Sequence, residues 1–327
     1  MSLAGKNTIL LTGAAGFIGS RTAELLLKEG TSVAGVDNLN DYYDPRLKKN
    51  RLNLLKKYPG FKFYQSDIED FESLKKIMKT SRPSAVINLA ARAGVRYSME
   101  NPFVYMSTNA TGMLNILEAC KELDIKKVII ASTSSLYAGQ KMPFKETLPV
   151  NTPISPYAAS KKAAEAMCFT YHHLYHFDVT ILRYFTVYGP AGRPDMSPFR
   201  FIQWIDSGKP VQIFGDGKQS RDFTYVDDIA QGTVSSLGLK GFQTINLGSH
   251  HPYKLIEFIR LIEKFLGKKA NLVYLPKNVT DMDATWADIG QAKKLLKWTP
   301  KTSLEKGLRL TIDWYLQNKD WASKISV

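Results

Sequence analysis

Cysteine is scarce in this chain. Two occur in 327 residues, Cys120 and Cys168, both in helical-looking stretches and without metal or redox spacing. That argues against a disulfide-built secreted scaffold and fits a reducing cytoplasm. There is no apolar run near the ~20 residues that span a bilayer, so no membrane partner is expected. The opening MSLAGKNTILLTG enters a strand-and-glycine pattern almost at once, leaving no room for a signal peptide. His172 and His176 lie one helical turn apart with no third ligand in view, so no metal is expected. Positive charge is plentiful, at a formal +14, but no basic tract is interleaved with aromatics. The lysines come as scattered pairs such as Lys48-Lys49, Lys126-Lys127 and Lys293-Lys294. They read as solvated helix faces and a field that attracts a multiply charged substrate, not as a nucleic-acid surface.

The hydrophobic share of 44% and the charged share of 23% describe a globular chain able to bury one large or two moderate cores. Apolar β-rich runs at 7–12, 32–37, 61–65, 84–89, 127–132 and 179–185 alternate with helical stretches near 17–29, 45–57, 71–79, 103–123 and 156–176. Continuous apolar strands separated by helices predict an α/β fold, a doubly wound parallel Rossmann sheet. After residue 185 the rhythm breaks into Gly/Pro-rich loops and shorter runs at 210–215, 244–248 and 271–275. This predicts a dinucleotide domain over 1–185, with a return segment near 223–248, and a smaller C-terminal α/β substrate domain over 186–327.

Directly after the first strand comes TGAAGFIGS, with Gly13, Gly16 and Gly19 flanking Phe17 and Ile18. Glycines there let the backbone turn tightly and approach a pyrophosphate at a helix N-terminus. Asp37 ends the second strand and Asn38 follows it. A carboxylate there accepts from the adenosine ribose hydroxyls and repels a 2′-phosphate, which favours NAD over NADP. Asp67 and Ile68 close the third strand, Leu89, Ala90 and Ala91 the fourth, and Tyr184 the sixth. These are the strand ends where such a sheet meets its ligand, although helix capping or small-residue packing would also account for Asp67 and 88–92.

In SPYAASKKAAEA, Ser155 is a candidate N-cap and Pro156 the first helical residue. Tyr157 and Lys161 then share a helix face, one turn apart. A tyrosine of pKa ~10 is a poor base at neutral pH, and a nearby ammonium lowers it by charge proximity. Just after the fifth strand, Thr133, Ser134 and Ser135 offer hydroxyls at the same sheet edge.

With these motifs the chain resembles the extended short-chain dehydrogenase/reductases of the nucleotide-sugar epimerase group, nearly end to end. The resemblance rests on Gly13, Gly16, Gly19, Asp37, Thr133, Tyr157 and Lys161, on GDGKQSRDFTYVDDIAQG at 215–232, and on the C-terminal DMDATWADIGQAKKLL. It implies hydride removal from a sugar carbon to NAD and its return to the other face. Tyr157, Lys161 and Thr133 would be catalytic, with Arg221 on the nucleotide diphosphate. Dehydratases and nucleotide-glucuronate decarboxylases of the superfamily carry an acid where this chain has Ser134 and Ser135, which argues for epimerisation.

RYFTVYGPAGR at 183–193, DNLNDYYDPRLK and ARAGVRYSMENP resemble the UDP-glucuronate 4-epimerases in particular. That resemblance implies that Thr186 and Arg193 face the sugar carboxylate; a diphosphate contact or a structural pin are the other roles open to Arg193. The implied substrate set is Thr133, Ser134, Ser135, Tyr157, Thr186, Arg193, Gln212, Arg221 and Asp281, with a UDP-sugar as partner and a homodimer built from the 103–123 and 156–176 helices. A UDP-glucose or UDP-N-acetylhexosamine epimerase and a non-catalytic NAD-binding regulator remain alternatives. Ala138 stands where the family has glycine, and Asp281 lacks its basic neighbour, with Lys277 and Asn278 in that region.

Overall fold

The computed structural model describes residues 7–277 and 281–327; Asn278 lies outside them. Among the described residues the strands are β1 (Thr8–Thr12), β2 (Ser32–Asp37), β3 (Phe61–Gln65), β4 (Ala85–Asn88), β5 (Lys127–Thr133), β6 (Asp178–Tyr184), β7 (Thr186–Tyr188), β8 (Pro210–Phe214), β9 (Ser220–Tyr225), β10 (Phe242–Leu247), β11 (Pro252–Lys254) and β12 (Asn271–Leu275). Seven form one sheet in the order β10-β6-β5-β4-β1-β2-β3, with every pair parallel.

The apolar runs are continuous because both faces of this sheet are covered. Ile9, Leu11, Val33 and Ile87 pack on one side, and Leu10, Val36, Val86 and Val128 on the other. The winding reverses between β1 and β4, where a crevice opens beyond the carboxyl ends of the strands. Register lines those ends up. Thr12 pairs with Val36 and Asn88, and Thr133 pairs with Tyr184.

The return segment is narrower than the sequence suggests. β10 joins the large sheet beside β6, and the helix Val226–Ser235 packs on the helix Phe17–Lys28. The apolar run at 244–247 therefore belongs to the edge of the large sheet. Residues 223–225 end β9, which lies in a separate three-stranded sheet of order β11-β9-β7. β8 and β12 form a parallel pair. With the helices Ser197–Ser207, Leu255–Leu266 and Leu304–Gln317 they enclose a second core around Phe201, Phe223, Phe258 and Leu308. Phe223 and Phe258 stack at 4.3 Å.

Ser155 caps the helix Pro156–Tyr175, its Oγ accepting from the Ala158 N–H at 3.2 Å. The expected 103–123 helix is interrupted. Pro102–Tyr105 passes through a widened π turn, Met106–Thr111, before Gly112–Glu122 resumes α geometry. A Cβ on Gly112 would lie 2.6 Å from Ile68 Cδ1, so this helix crosses the β3 loop at the closest approach glycine permits. No helix of the described residues is long and apolar enough to cross a membrane.

Candidate active site

The crevice begins at the glycine turn. Gly13 has φ +71°, and a Cβ there would come 2.7 Å from the Ala90 nitrogen and Leu89 carbonyl carbon. On Gly16 it would lie 2.9 Å from the Gly13 oxygen, and on Gly19 it would run into that same oxygen. Only glycine fits this turn, which leaves bare backbone at the start of the helix Phe17–Lys28. Asp37 accepts from the Ala15 N–H at 3.1 Å and the Leu39 N–H at 2.8 Å. Asn38 donates to Asp67 at 2.7 Å, so two expected cofactor residues hold each other in place.

One residue here went unread in the sequence. Lys48, buried in the helix Pro45–Leu55, places its ammonium 3.5 Å from Asp37 and 3.0 Å from the Asn40 side-chain oxygen. The lysine pair 48–49 looks solvated in the sequence, yet only one member is. Bare glycine backbone beside a buried carboxylate suits the pyrophosphate and ribose of a dinucleotide, and the residues fit NAD.

A single cavity of about 350 Å3 runs from this turn to the reacting end. Gly13, Gly16, Phe17, Ile18, Gly19, Asp37, Asn38, Asp67, Ile68, Leu89, Ala90 and Ala91 line one part of it. Thr133, Ser134, Ser135, Tyr157, Lys161, Tyr184, Thr186 and Arg193 line the other. Helix Pro156–Tyr175 carries Tyr157 and Lys161 across the end of β5, and Lys161 donates to the Ala131 carbonyl at 2.9 Å. Burial pulls the Lys161 ammonium down to about 8, against the opposing charge of Glu165. Thr133 Oγ1 donates to Ser135 Oγ at 3.1 Å and accepts from the Ser135 N–H at 3.1 Å.

The electrostatics of Tyr157 differ from the sequence expectation. Burial raises the phenol above its ordinary value, while hydrogen bonding from Thr133 and the charge of Arg193 pull the other way. Arg193, distant in sequence, supplies a positive field that the Tyr-x-x-x-Lys spacing alone does not suggest.

Arg193 is not a guanidinium waiting alone. Its Nε donates to Asp195 Oδ1 at 3.0 Å, and its Nη2 to Asp195 Oδ2 at 2.5 Å and to the Ala93 carbonyl at 3.2 Å. Burial works against the charge, and Asp195 more than offsets it, so the group stays cationic. Ala93 O also accepts from Tyr42 at 2.6 Å and from Tyr105 at 3.3 Å, which ties the loop after β4 to the arginine loop. Buried Asn109 braces that loop from the widened turn, accepting from the Arg92 N–H and donating to the Arg92 carbonyl, both at 2.9 Å. Asp195, two residues past Arg193, was legible only as part of a polar loop.

Arg221 and Asp281 line a second recess of about 290 Å3. Arg221 donates to the Ser220 carbonyl at 2.9 Å and has no carboxylate within ion-pair distance among the described residues. Burial lowers its pKa, with Asp281 and Asp283 opposing. The basic partner of Asp281 comes from elsewhere in the chain: Arg96 donates to it at 2.7 Å and lies 3.8 Å over the Phe214 ring.

Gln212 lines neither space. Strand alternation buries Val211 and Ile213 and turns Gln212 outward, exposed. Ala138 has an ordinary φ of −52°, and the next residue, Gly139, takes the positive φ of +82°. The loop thus keeps its glycine one position later. His172 binds the Phe177 carbonyl at 2.7 Å and His176 ends its helix. No metal-binding cluster occurs among the described residues.

This arrangement, a parallel sheet with a dinucleotide turn at one end of its crevice and a buried Tyr/Lys pair at the other, defines a class. The chain belongs to the NAD dependent epimerase/dehydratase family, whose pattern matches residues 9–248. It is 57% identical over 319 residues to a UDP-glucuronate 4-epimerase of Thermodesulfobacterium geofontis, covering 97% of this chain and 99% of that one. The fold also matches the crystal structure of UDP-glucuronic acid 4-epimerase from Bacillus cereus in complex with UDP-glucuronic acid and NAD. There the TM-score is 0.90 at 38% identity, covering 95% of this chain and 99% of that one. The UDP-glucose 4-epimerase of Thermotoga maritima with UDP-glucose matches with TM-score 0.88 at 33% identity, covering 95% and 99%.

Proposed function

We propose that this protein is an NAD-dependent epimerase that interconverts UDP-glucuronate and UDP-galacturonate at C4. The observation that carries the reading is the meeting of Thr186 and Arg193 with Tyr157 and Thr133 on one cavity wall. The relatives that match over nearly the whole chain support the same substrate.

Bound in the crevice, NAD supplies a reversible hydride acceptor. Tyr157 takes the proton of the C4 hydroxyl and gives it back to the same oxygen once the 4-keto sugar has presented its other face, with Thr133 sharing the hydrogen bond. Thr186 offers a neutral hydrogen bond to the C6 carboxylate, and Arg193 offers its charge and its Nη1 donors. Fixing that carboxylate matters because a 4-keto uronate is a β-keto acid. It loses CO2 when the bond to the carboxylate aligns with the carbonyl π system. Arg221 and Asp281, with Arg96, take the nucleotide diphosphate and ribose. Ser134 and Ser135 supply no carboxyl group for dehydration.

The quaternary reading is a homodimer. Phe103 is 84% exposed and Phe169 54% exposed on the helices that the family resemblance places at the interface, and burying such rings against a second copy removes apolar surface from water. The two free, buried cysteines support a reducing, cytoplasmic setting.

NMR of product mixtures tests the substrate. The protein is incubated with UDP-glucuronate, UDP-glucose and UDP-N-acetylglucosamine in turn. UDP-galacturonate from the first, with no turnover of the others, is the expected result. Turnover of a neutral sugar alone would leave Tyr157 in place and remove the carboxylate reading.

A further inference from the structure

Arg51 is among the most deeply placed cations of the molecule, at 3% exposure, and it has no carboxylate partner among the described residues. Its hydrogen bonds go to neutral oxygens. Nε donates to the Ala191 carbonyl at 3.1 Å, and Nη2 donates to the carbonyls of Ala191 at 2.5 Å and Gly192 at 3.3 Å. Nη1 donates to the Ala15 carbonyl at 3.1 Å and to the Tyr43 hydroxyl at 2.7 Å. The guanidinium sits 5.9 Å from the Phe17 ring centre and 5.5 Å from that of Tyr43.

These acceptors belong to two different loops. Ala15 lies inside the glycine turn, and its own N–H is held by Asp37. Ala191 and Gly192 lie immediately before Arg193. Ala191 is also a non-glycine residue at φ +52°, a conformation that L side chains rarely adopt, so its carbonyl direction needs an external hold. A planar fork of five N–H donors reaches both loops at once, which a lysine ammonium cannot.

We infer that Arg51 is a positioning residue. It locks the loop bearing Arg193 to the dinucleotide turn, and so sets the sugar-carboxylate site in register with the cofactor. Arg51 does not line the cavity, and it acts through Arg193. This inference rests on the acid-sugar reading of Arg193 given above.

The test is Arg51→Lys in the NAD-loaded enzyme, which keeps the charge and removes the fork. KM for UDP-glucuronate is expected to rise about tenfold, while the inhibition constant of UDP, which lacks the sugar, stays within about twofold. Arg51→Lys combined with Arg193→Ala is expected to be no worse for UDP-glucuronate than Arg193→Ala alone, because the two act as a unit. Hydrogen exchange at 189–196 should quicken, and NAD retained per subunit on purification should fall.

Equal weakening of UDP-glucuronate and UDP would show a general folding defect and overturn the inference, as would additive effects in the double variant. Unchanged exchange at 189–196 would also overturn it. If the protein turns over only a neutral UDP-hexose, the acid-sugar reading fails, and the exchange and NAD measurements still decide whether Arg51 couples the two loops.

Discussion

Two arginines, Arg193 and Arg221, line the two recesses of this protein in opposite states. Arg193 is gripped on two nitrogens by Asp195 and on one of them by the Ala93 carbonyl. Among the described residues the Arg221 guanidinium donates only to its neighbour's carbonyl, and burial lowers its pKa. The first has given up part of its field in exchange for a fixed orientation. On the function proposed above, the second keeps its donors for an incoming anion. The contrast fits what the proposed anion of each site demands. A nucleotide diphosphate needs charge above all, whereas the carboxylate of a 4-keto uronate has to be held at an angle that keeps its bond to the sugar out of line with the carbonyl.

Substitutions should separate the two roles, and the largest effect falls on the uncommitted arginine. Arg221→Ala is expected to weaken UDP roughly 10- to 100-fold, measured calorimetrically, because it removes a charged donor from a partly buried site. Arg193→Ala is expected to raise KM for UDP-glucuronate about tenfold and to leave UDP unchanged. NMR should also detect some decarboxylated sugar nucleotide. If both variants lost UDP binding equally, the division of labour would be wrong.

Asp195→Asn probes the comparison more finely. Removing the partner charge should lower KM for UDP-glucuronate by about two- to threefold, since like-charge repulsion at a partly exposed site is modest. The loosened guanidinium should lower kcat in the same variant. A fall in KM without a fall in kcat would mean that Asp195 contributes no orientation.

The smallest effect concerns pH. Burial holds Lys161 at about 8, so its ammonium is present below that value and lost as pH rises through it. Steps that rely on that charge should slow on the alkaline side, with kcat/KM falling above pH about 8 in a pH-rate profile. A flat profile to pH 10 would show that the bound substrate and cofactor hold the proton there.

The large sheet was legible because its strands are continuous apolar runs and its turn needs three glycines. The reacting end was legible only as residue types. The strand β9 hid because Arg221 and Asp222 break any apolar alternation, and its residues are fixed by partners far along the chain: Asp222 accepts from the N–H groups of His250 at 3.1 Å and Ala287 at 3.0 Å. Gln212 was placed by resemblance, and strand alternation turned it outward. Lys48, Arg51 and Arg96 escaped notice for a shared reason. Each looks like a solvated charge until the fold buries it or pairs it with an anion from another segment.

The most direct test measures binding to NAD-loaded protein carrying Tyr157→Phe, which halts turnover. UDP-glucuronate and UDP-glucose are titrated calorimetrically with and without Arg193→Ala. The account predicts that UDP-glucuronate binds more tightly and that Arg193→Ala removes about tenfold of that preference while leaving UDP-glucose unaffected. Equal loss for both sugars, or no loss for either, would contradict it.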